Sequence, residues 1–353
     1  MSDALPIALT PPVHGADIAA ASRCYGIPLA DWLDLSTGIN PRMYPLAAIA
    51  PEECRELPLD DSELLAAARA YCSAVQTPVL AAGSQVLIQW LPLVRAQLHG
   101  CGRIAVPAIG YSEHAFRWQW AGHSVVTYDP RDPDAIDALL RRETIDALIV
   151  INAHNPLAIL TEPAQLLTWR ERLAASGGWL VVDEAFVDPT PVFSVAAQAQ
   201  LPGLVVLRSL GKFFGLAGIR CGYAFCADAL AAHLRVAVGP WALSGPALRI
   251  ATAALGDEAW QGAMRDELQA ISRANAELLQ RATWARAKNL RRHALFNSIE
   301  LSAVEAVRIE DELARRGIRV RRIAIDTETA LLRFGLVDPR SAEQWQRVQS
   351  AIA

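Results

Sequence analysis

In the stretch SLGKFFGLAGIRCGY, residues 209–223, one lysine sits among glycines, aromatics and small residues, and Arg220 follows eight positions later. A lysine held in so apolar a loop loses hydration, and burial favours its neutral amine. A neutral amine attacks aldehydes, so Lys212 has the setting of a Schiff-base lysine. Asp183 closes the apolar run GWLVV. A buried carboxylate there needs a cationic partner, and a protonated pyridine nitrogen would serve. Gly83, Ser84 and Gln85 open a helical stretch after PVLAA, where free backbone N–H groups can bind phosphate. Ser209 and Arg220 add a hydroxyl and a fork-shaped cation to the same anion. An aldehyde, a pyridinium and a phosphate on one small molecule specify pyridoxal 5′-phosphate, whose enzymes pair a lysine with an aspartate at the ring nitrogen.

Further polar residues fall where they could join this set. Asn155 follows DALIVINAH, and Tyr111, in AIGYSEH, is a candidate for a ring stacked on the pyridine, with His114 a second. Arg321 and Arg333 lie near opposite ends of VRRIAIDTETALLR, which reads as two short strands joined by a turn at DTET. A hairpin would bring both guanidiniums to one pocket and suit a substrate carrying two anions. No CxxC pair and no histidine at zinc spacing appear, so no metal site is expected.

The elements that must position these groups follow from the hydrophobic pattern. RIAVPA, HSVVTYD, DALIVINAHN, GWLVVDEAF, LVVLRSL and RCGYAFC are near-continuous apolar runs, suited to strands buried on both faces. DAIDALLRRE and AQLLTWRERLAAS between them have helical periodicity, and DDSELLAAARAYCSA reads as a helix with acidic residues at its cap. Alternation of strand and helix predicts an α/β domain with a mostly parallel sheet. Functional groups gather at the carboxyl ends of such strands, and Ser84, Asn155, Asp183, Ser209 and Lys212 all follow strand-like runs. Residues 1–45, rich in Pro and Gly with one apolar piece, WLDLS, read as an extended arm serving a small domain and the site. Residues 46–245 read as the large domain. Residues 246–353 read as a long helical tract followed by a small α+β unit built from LFNSIEL, AVRIEDELARRG, IRVRRIAI and ALLRFGL.

The 353 residues, 52% of them hydrophobic and 20% charged, allow a sizeable core. A net charge of −4 without long runs of one sign argues against nucleic acid or an anionic membrane as main partner. No apolar stretch approaches the roughly 20 residues of a membrane span, and the N-terminus lacks signal-peptide character. The six scattered cysteines predict reduced, mostly buried thiols and a cytoplasmic location.

The lysine loop, with Ser209, Lys212, Gly218, Arg220 and Gly222, resembles that of fold type I pyridoxal-phosphate enzymes in the histidinol-phosphate aminotransferase branch. VVDEAF resembles that branch's D-E-A-Y, and HNPLA its N-N-P-T-G. HGAD at residues 14–17, WLDLSTGINPRMYP, DEAFVD and VRRIAIDTETALLRFGL are more similar to the threonine-phosphate decarboxylase family of cobalamin biosynthesis. Phe186, where the aminotransferases carry Tyr, fits that family. The resemblance implies an aspartate aminotransferase-like fold, a homodimer with the site at the subunit interface, and a phosphorylated amino acid as substrate. It adds His14, Gly15 and Asn40 as substrate contacts beside Asn155, Arg321 and Arg333. Decarboxylation of L-threonine O-3-phosphate is the first expectation. An aminotransferase on histidinol phosphate or a similar compound is the alternative, and a non-catalytic cofactor-binding protein a second one.

Overall fold

The computed structural model describes residues 11–12, 17–58, 60–282, 284 and 289–352. The chain enters through α1 (Ile18–Tyr25) and the two-residue β1 (Leu33–Asp34), then α2 (Pro51–Arg55) and α3 (Ser62–Cys72). Asp60, rather than the residue next to the helix, receives the Ser62 N–H and hydroxyl, both at 2.8 Å. A seven-stranded sheet follows, from β2 (Val79–Ala81), β3 (Arg103–Pro107), β4 (Ser124–Tyr128), β5 (Ala147–Ile151), β6 (Trp179–Asp183), β7 (Leu204–Ser209) and β8 (Gly222–Cys226). Its spatial order is β2-β8-β7-β6-β5-β3-β4. The central pairs are parallel, and β8 runs antiparallel to both its neighbours. Every residue of β5 and β6 is buried, as expected for strands covered on both faces.

The covering helices are α4 (Ser84–His99), α5 (Glu113–Trp120), α6 (Pro133–Arg142), α7 (Pro163–Ala174) and α8 (Asp228–Val238). The expected helical tract is two helices, α9 (Gly245–Gly256) and α10 (Glu258–Gln280). Asp257 separates them by capping the second, accepting from Trp260 N at 2.9 Å. The small unit holds β9 (Leu290–His293), β10 (Phe296–Ser302), α11 (Ala303–Arg315), β11 (Ile318–Arg319), β12 (Arg321–Ala324), β13 (Thr329–Gly335) and α12 (Ala342–Ile352). Four of these strands form a sheet in the order β12-β13-β10-β9, and β11 pairs in parallel with β1. The apolar piece of the arm is therefore a strand of the small unit.

The large core joins the apolar sides of α3 and α9 to one sheet face. Met264, Leu268 and Ile271 of α10 belong to it, whereas Leu278 and Leu279 belong to the small unit's core. Helix α10 therefore contributes to both cores, and Ala294, Leu295, Phe296 and Leu336 of the small unit also join the large one. Half of the cysteines, Cys24, Cys54 and Cys101, are exposed rather than buried, because they lie on α1, on α2 and in the loop before β3 instead of under the sheet. Among the described residues no helix is long and apolar enough to cross a membrane.

Candidate active site

A cavity of ≈ 590 Å³ opens at the carboxyl ends of the parallel strands and reaches the β12–β13 hairpin. Gly83, Ser84, Gln85, Tyr111, Asn155, Asp183, Ser209, Lys212, Arg220, Arg321 and Arg333 all line it.

Its first corner is the turn from β2 into α4. Gly83 has φ +84, a conformation that Cβ-bearing residues rarely adopt. A Cβ there would lie 2.5 Å from Arg220 Nη2, and one on Gly222 would collide with the backbone nitrogen of Ser84. Two glycines thus let a helix start, a strand start and a guanidinium close on one spot. No side chain caps α4, so its first N–H groups face the cavity without a capping oxygen. Arg220, itself at φ +53, donates to the carbonyls of Ala217 at 3.2 Å and Ala82 at 3.4 Å. With Ser209 at the end of β7, these donors form an anion cup.

The lysine loop is held from the arm. Asn40 N donates to Lys212 O at 3.0 Å, Asn40 Nδ2 to Phe213 O at 2.8 Å, and Tyr44 N to Phe214 O at 2.8 Å. Lys212 Nζ lies 5.3 Å from the centre of the Phe186 ring. Burial first, and then the charge of Arg333, push its amine down to about 8, against the opposing pull of Asp183. Asp183, 4% exposed at the end of β6, accepts from Ala185 N at 3.0 Å and meets His114 Nε2 at 2.9 Å.

The opposite wall is the hairpin, where Arg321 and Arg333 are directly paired positions. Arg333 is buried and donates to Asn155 Oδ1 and to the Ser36 carbonyl, both neutral acceptors, while its Nε has no partner. Burial, then Arg321, lowers it to about 10. Arg321 is also lowered, by burial and then by Arg319. Arg319 and Arg322 share Glu310, at 3.2 and 2.7 Å.

Asn40 and His114 are not among the residues that line the cavity. Asn40 is buried with both ends of its carboxamide in use, Nδ2 on Phe213 O and Oδ1 on Arg42 N. Its side chain ties the arm to the lysine loop. His114 meets Asp183 through Nε2, and its ring stands edge-on to Tyr111. His14 and Gly15 lie outside the described residues. A partnership invisible in the sequence surrounds the same strand ends. Arg208 bridges Glu184, at 2.9 Å, and Asp188, which also receives the Tyr71 hydroxyl. All three charged groups are buried, and they tie the residues beside Asp183 and Ser209 together.

The donor set fits pyridoxal 5′-phosphate. The glycine-lined cup offers several donors to a dianion, the buried carboxylate of Asp183 can face a ring nitrogen, and the Lys212 amine, pushed down to about 8, lines the same cavity. Comparison with known proteins agrees. The family model described as aminotransferase class I and II matches residues 56–350. Threonine-phosphate decarboxylase of Pseudomonas aeruginosa is 42% identical over 96% of both chains. A histidinol-phosphate aminotransferase of Mycobacterium bovis is 31% identical over 78% of this chain and 74% of its own. The structure of histidinol-phosphate aminotransferase from Sinorhizobium meliloti superposes with a TM-score of 0.80 at 18% identity, covering 97% of this chain and 94% of the other. That last likeness is one of fold.

Proposed function

The chain belongs to the class I and II aminotransferase family and, within it, to the threonine-phosphate decarboxylases; from that premise we propose that it removes CO2 from L-threonine O-3-phosphate, giving 1-amino-2-propanol phosphate for cobalamin biosynthesis. Its cofactor is pyridoxal 5′-phosphate. One observation supports the substrate most directly: the cavity holding the Lys212 amine also receives two arginines from opposed hairpin positions. A buried guanidinium with only neutral acceptors asks for an anion, and the substrate brings two.

When bound, the cofactor supplies an aldehyde carbon that captures an amine and a conjugated ring that takes up the electron pair left by CO2. The backbone of Ser84 and Gln85, with Ser209 and Arg220, is assigned to its phosphate. Asp183 is assigned to keep a proton on the ring nitrogen, and His114 steadies that carboxylate. Lys212 is the attachment point. Its buried Nζ, pushed down to about 8, would be able to hold a proton and deliver it to a substrate carbon. Arg321 is assigned to the substrate phosphate, and Arg333, braced by Asn155 and Ser36, to the remaining anion. A bond breaks most readily when it stands perpendicular to the ring plane. The hold of the arginines on the substrate's two ends therefore chooses between losing CO2 and losing the Cα proton. Phe186 presents a ring face, without a hydroxyl, to Lys212.

The alternative, amino transfer on a related phosphorylated compound, draws on the 31% identical relative and uses the same lysine and cup. We further assign a homodimer in the cytoplasm, with residues 1–45 helping to close the site. Exposed Met43, Leu46, Ile49 and Trp241 support a covered face beside the arm. Comparing turnover of threonine phosphate with that of free threonine tests the two-anion pocket. Free threonine should be a poor substrate; equal turnover of both would remove the two-anion pocket and with it the assignment of Arg321 to the phosphate.

A further inference from the structure

Glu113, at the start of α5, is 3% exposed and plays no part in the chemistry above. Its Oε2 accepts from Arg117 Nε at 2.9 Å and from Gln85 Nε2 at 2.5 Å. The arginine favours the charged carboxylate, which can only accept. Gln85 must then turn its NH2 group toward Glu113, which leaves its carbonyl oxygen facing the other way. That oxygen accepts from the Tyr111 hydroxyl at 2.9 Å. A phenol has one proton to give, and here it is committed to Gln85. Burial, then Glu113 and Asp183, push this hydroxyl up to about 12, so it remains a donor at neutral pH. The chain from Arg117 to Tyr111 thus has one direction throughout. Gln85 is also the second residue of α4, whose backbone faces the anion cup.

We propose that Glu113 is a positioning residue that, through the Gln85 carboxamide, fixes the angle of the Tyr111 ring over the cofactor and locks that ring to the phosphate-binding end of α4. This rests on the reading that Tyr111 stacks on the pyridine. Glu113→Gln keeps the shape but lets the carboxamide turn, because glutamine can donate as well as accept. Tyr111→Phe removes the last bond of the chain and keeps the ring. Both variants, and their combination, should be loaded with pyridoxal 5′-phosphate. The readouts are the visible circular dichroism of the bound cofactor and its dissociation constant.

Each single variant is expected to change the dichroic band and weaken cofactor binding by about tenfold, the upper range of one ordinary net hydrogen bond. The double variant should be no worse than Tyr111→Phe alone, because both act through one chain. A parental band and affinity in Glu113→Gln, beside an altered Tyr111→Phe, would overturn the proposal and leave the stacking intact. Additive losses would also overturn it. If Tyr111→Ala leaves the band unchanged, the stacking reading itself fails and the proposal with it. Should Glu113→Gln not fold, Gln85→Met decides, since it keeps the backbone amide and loses both side-chain bonds; parental behaviour there contradicts the proposal.

Discussion

At the scale of single residues, the account turns on an amine and a carboxylate that the fold keeps dry. Lys212 gives up its proton near 8 instead of 10.5 because burial and Arg333 both oppose its charge. Between those two values the unfolded chain binds the proton and the folded chain does not. This group therefore costs stability below pH 8, and the cost fades as pH rises toward 10.5. The rate at which cofactor-free protein captures pyridoxal 5′-phosphate should rise with pH around a midpoint near 8. A midpoint near 10.5 would mean a solvated amine. Borohydride should then fix the cofactor on the peptide containing Lys212, not on that containing Lys288, the other lysine of the sequence. Asp183→Asn keeps the Ala185 contact available but cannot hold a proton on the ring nitrogen. We expect a folded protein that has lost activity by at least about 100-fold. Near-normal turnover would make the carboxylate structural.

At the scale of elements, the β12–β13 hairpin delivers Arg321 and Arg333 to the cavity. Arg321→Ala should weaken threonine phosphate by about 2–5 kcal/mol while leaving cofactor affinity unchanged. An equal loss for cofactor and substrate, measured by titration, would put Arg321 in the cup. The sequence made this hairpin legible because DTET breaks two apolar runs, and pairing ends that far apart needs only a turn. The sheet was legible for a similar reason: strands covered on both faces must be apolar throughout, and Ser84, Asn155, Asp183, Ser209 and Lys212 come at the ends of such runs. Partners that meet only in three dimensions were not legible. His114 reaches Asp183 from α5, an element whose EHAFRWQW gave little helical signal. Arg208 looked like one basic residue at the end of a strand, and nothing nearby in sequence announced Glu184 and Asp188 as its partners. Asn40 holds the backbone of the lysine loop, a partnership that spacing along the chain does not announce. The break at Asp257 needed the capping bond to be seen, since ALGDEAW continues the apolar pattern of both helices.

At the scale of the whole molecule, α10 and the arm join two cores around one cavity. Arg42 shows how firmly: it meets Asp338 at 2.6 Å and Glu267 at 2.5 Å, two residues beyond the Asn40 that holds the lysine loop. That ion pair, with the backbone N–H of Arg340, lowers Asp338 to about 2. Sedimentation should report a dimer, and removal of residues 1–20 should raise KM much more than it lowers Tm. Unchanged kinetic constants after that truncation would take His14 and Gly15 out of the site. The central claim, that this fold directs a family lysine toward losing CO2, is tested most directly by one incubation. Purified protein with pyridoxal 5′-phosphate, L-threonine O-3-phosphate and 2-oxoglutarate should release CO2 and form 1-amino-2-propanol phosphate, with no glutamate made. Formation of glutamate without CO2 would contradict the account and identify an aminotransferase.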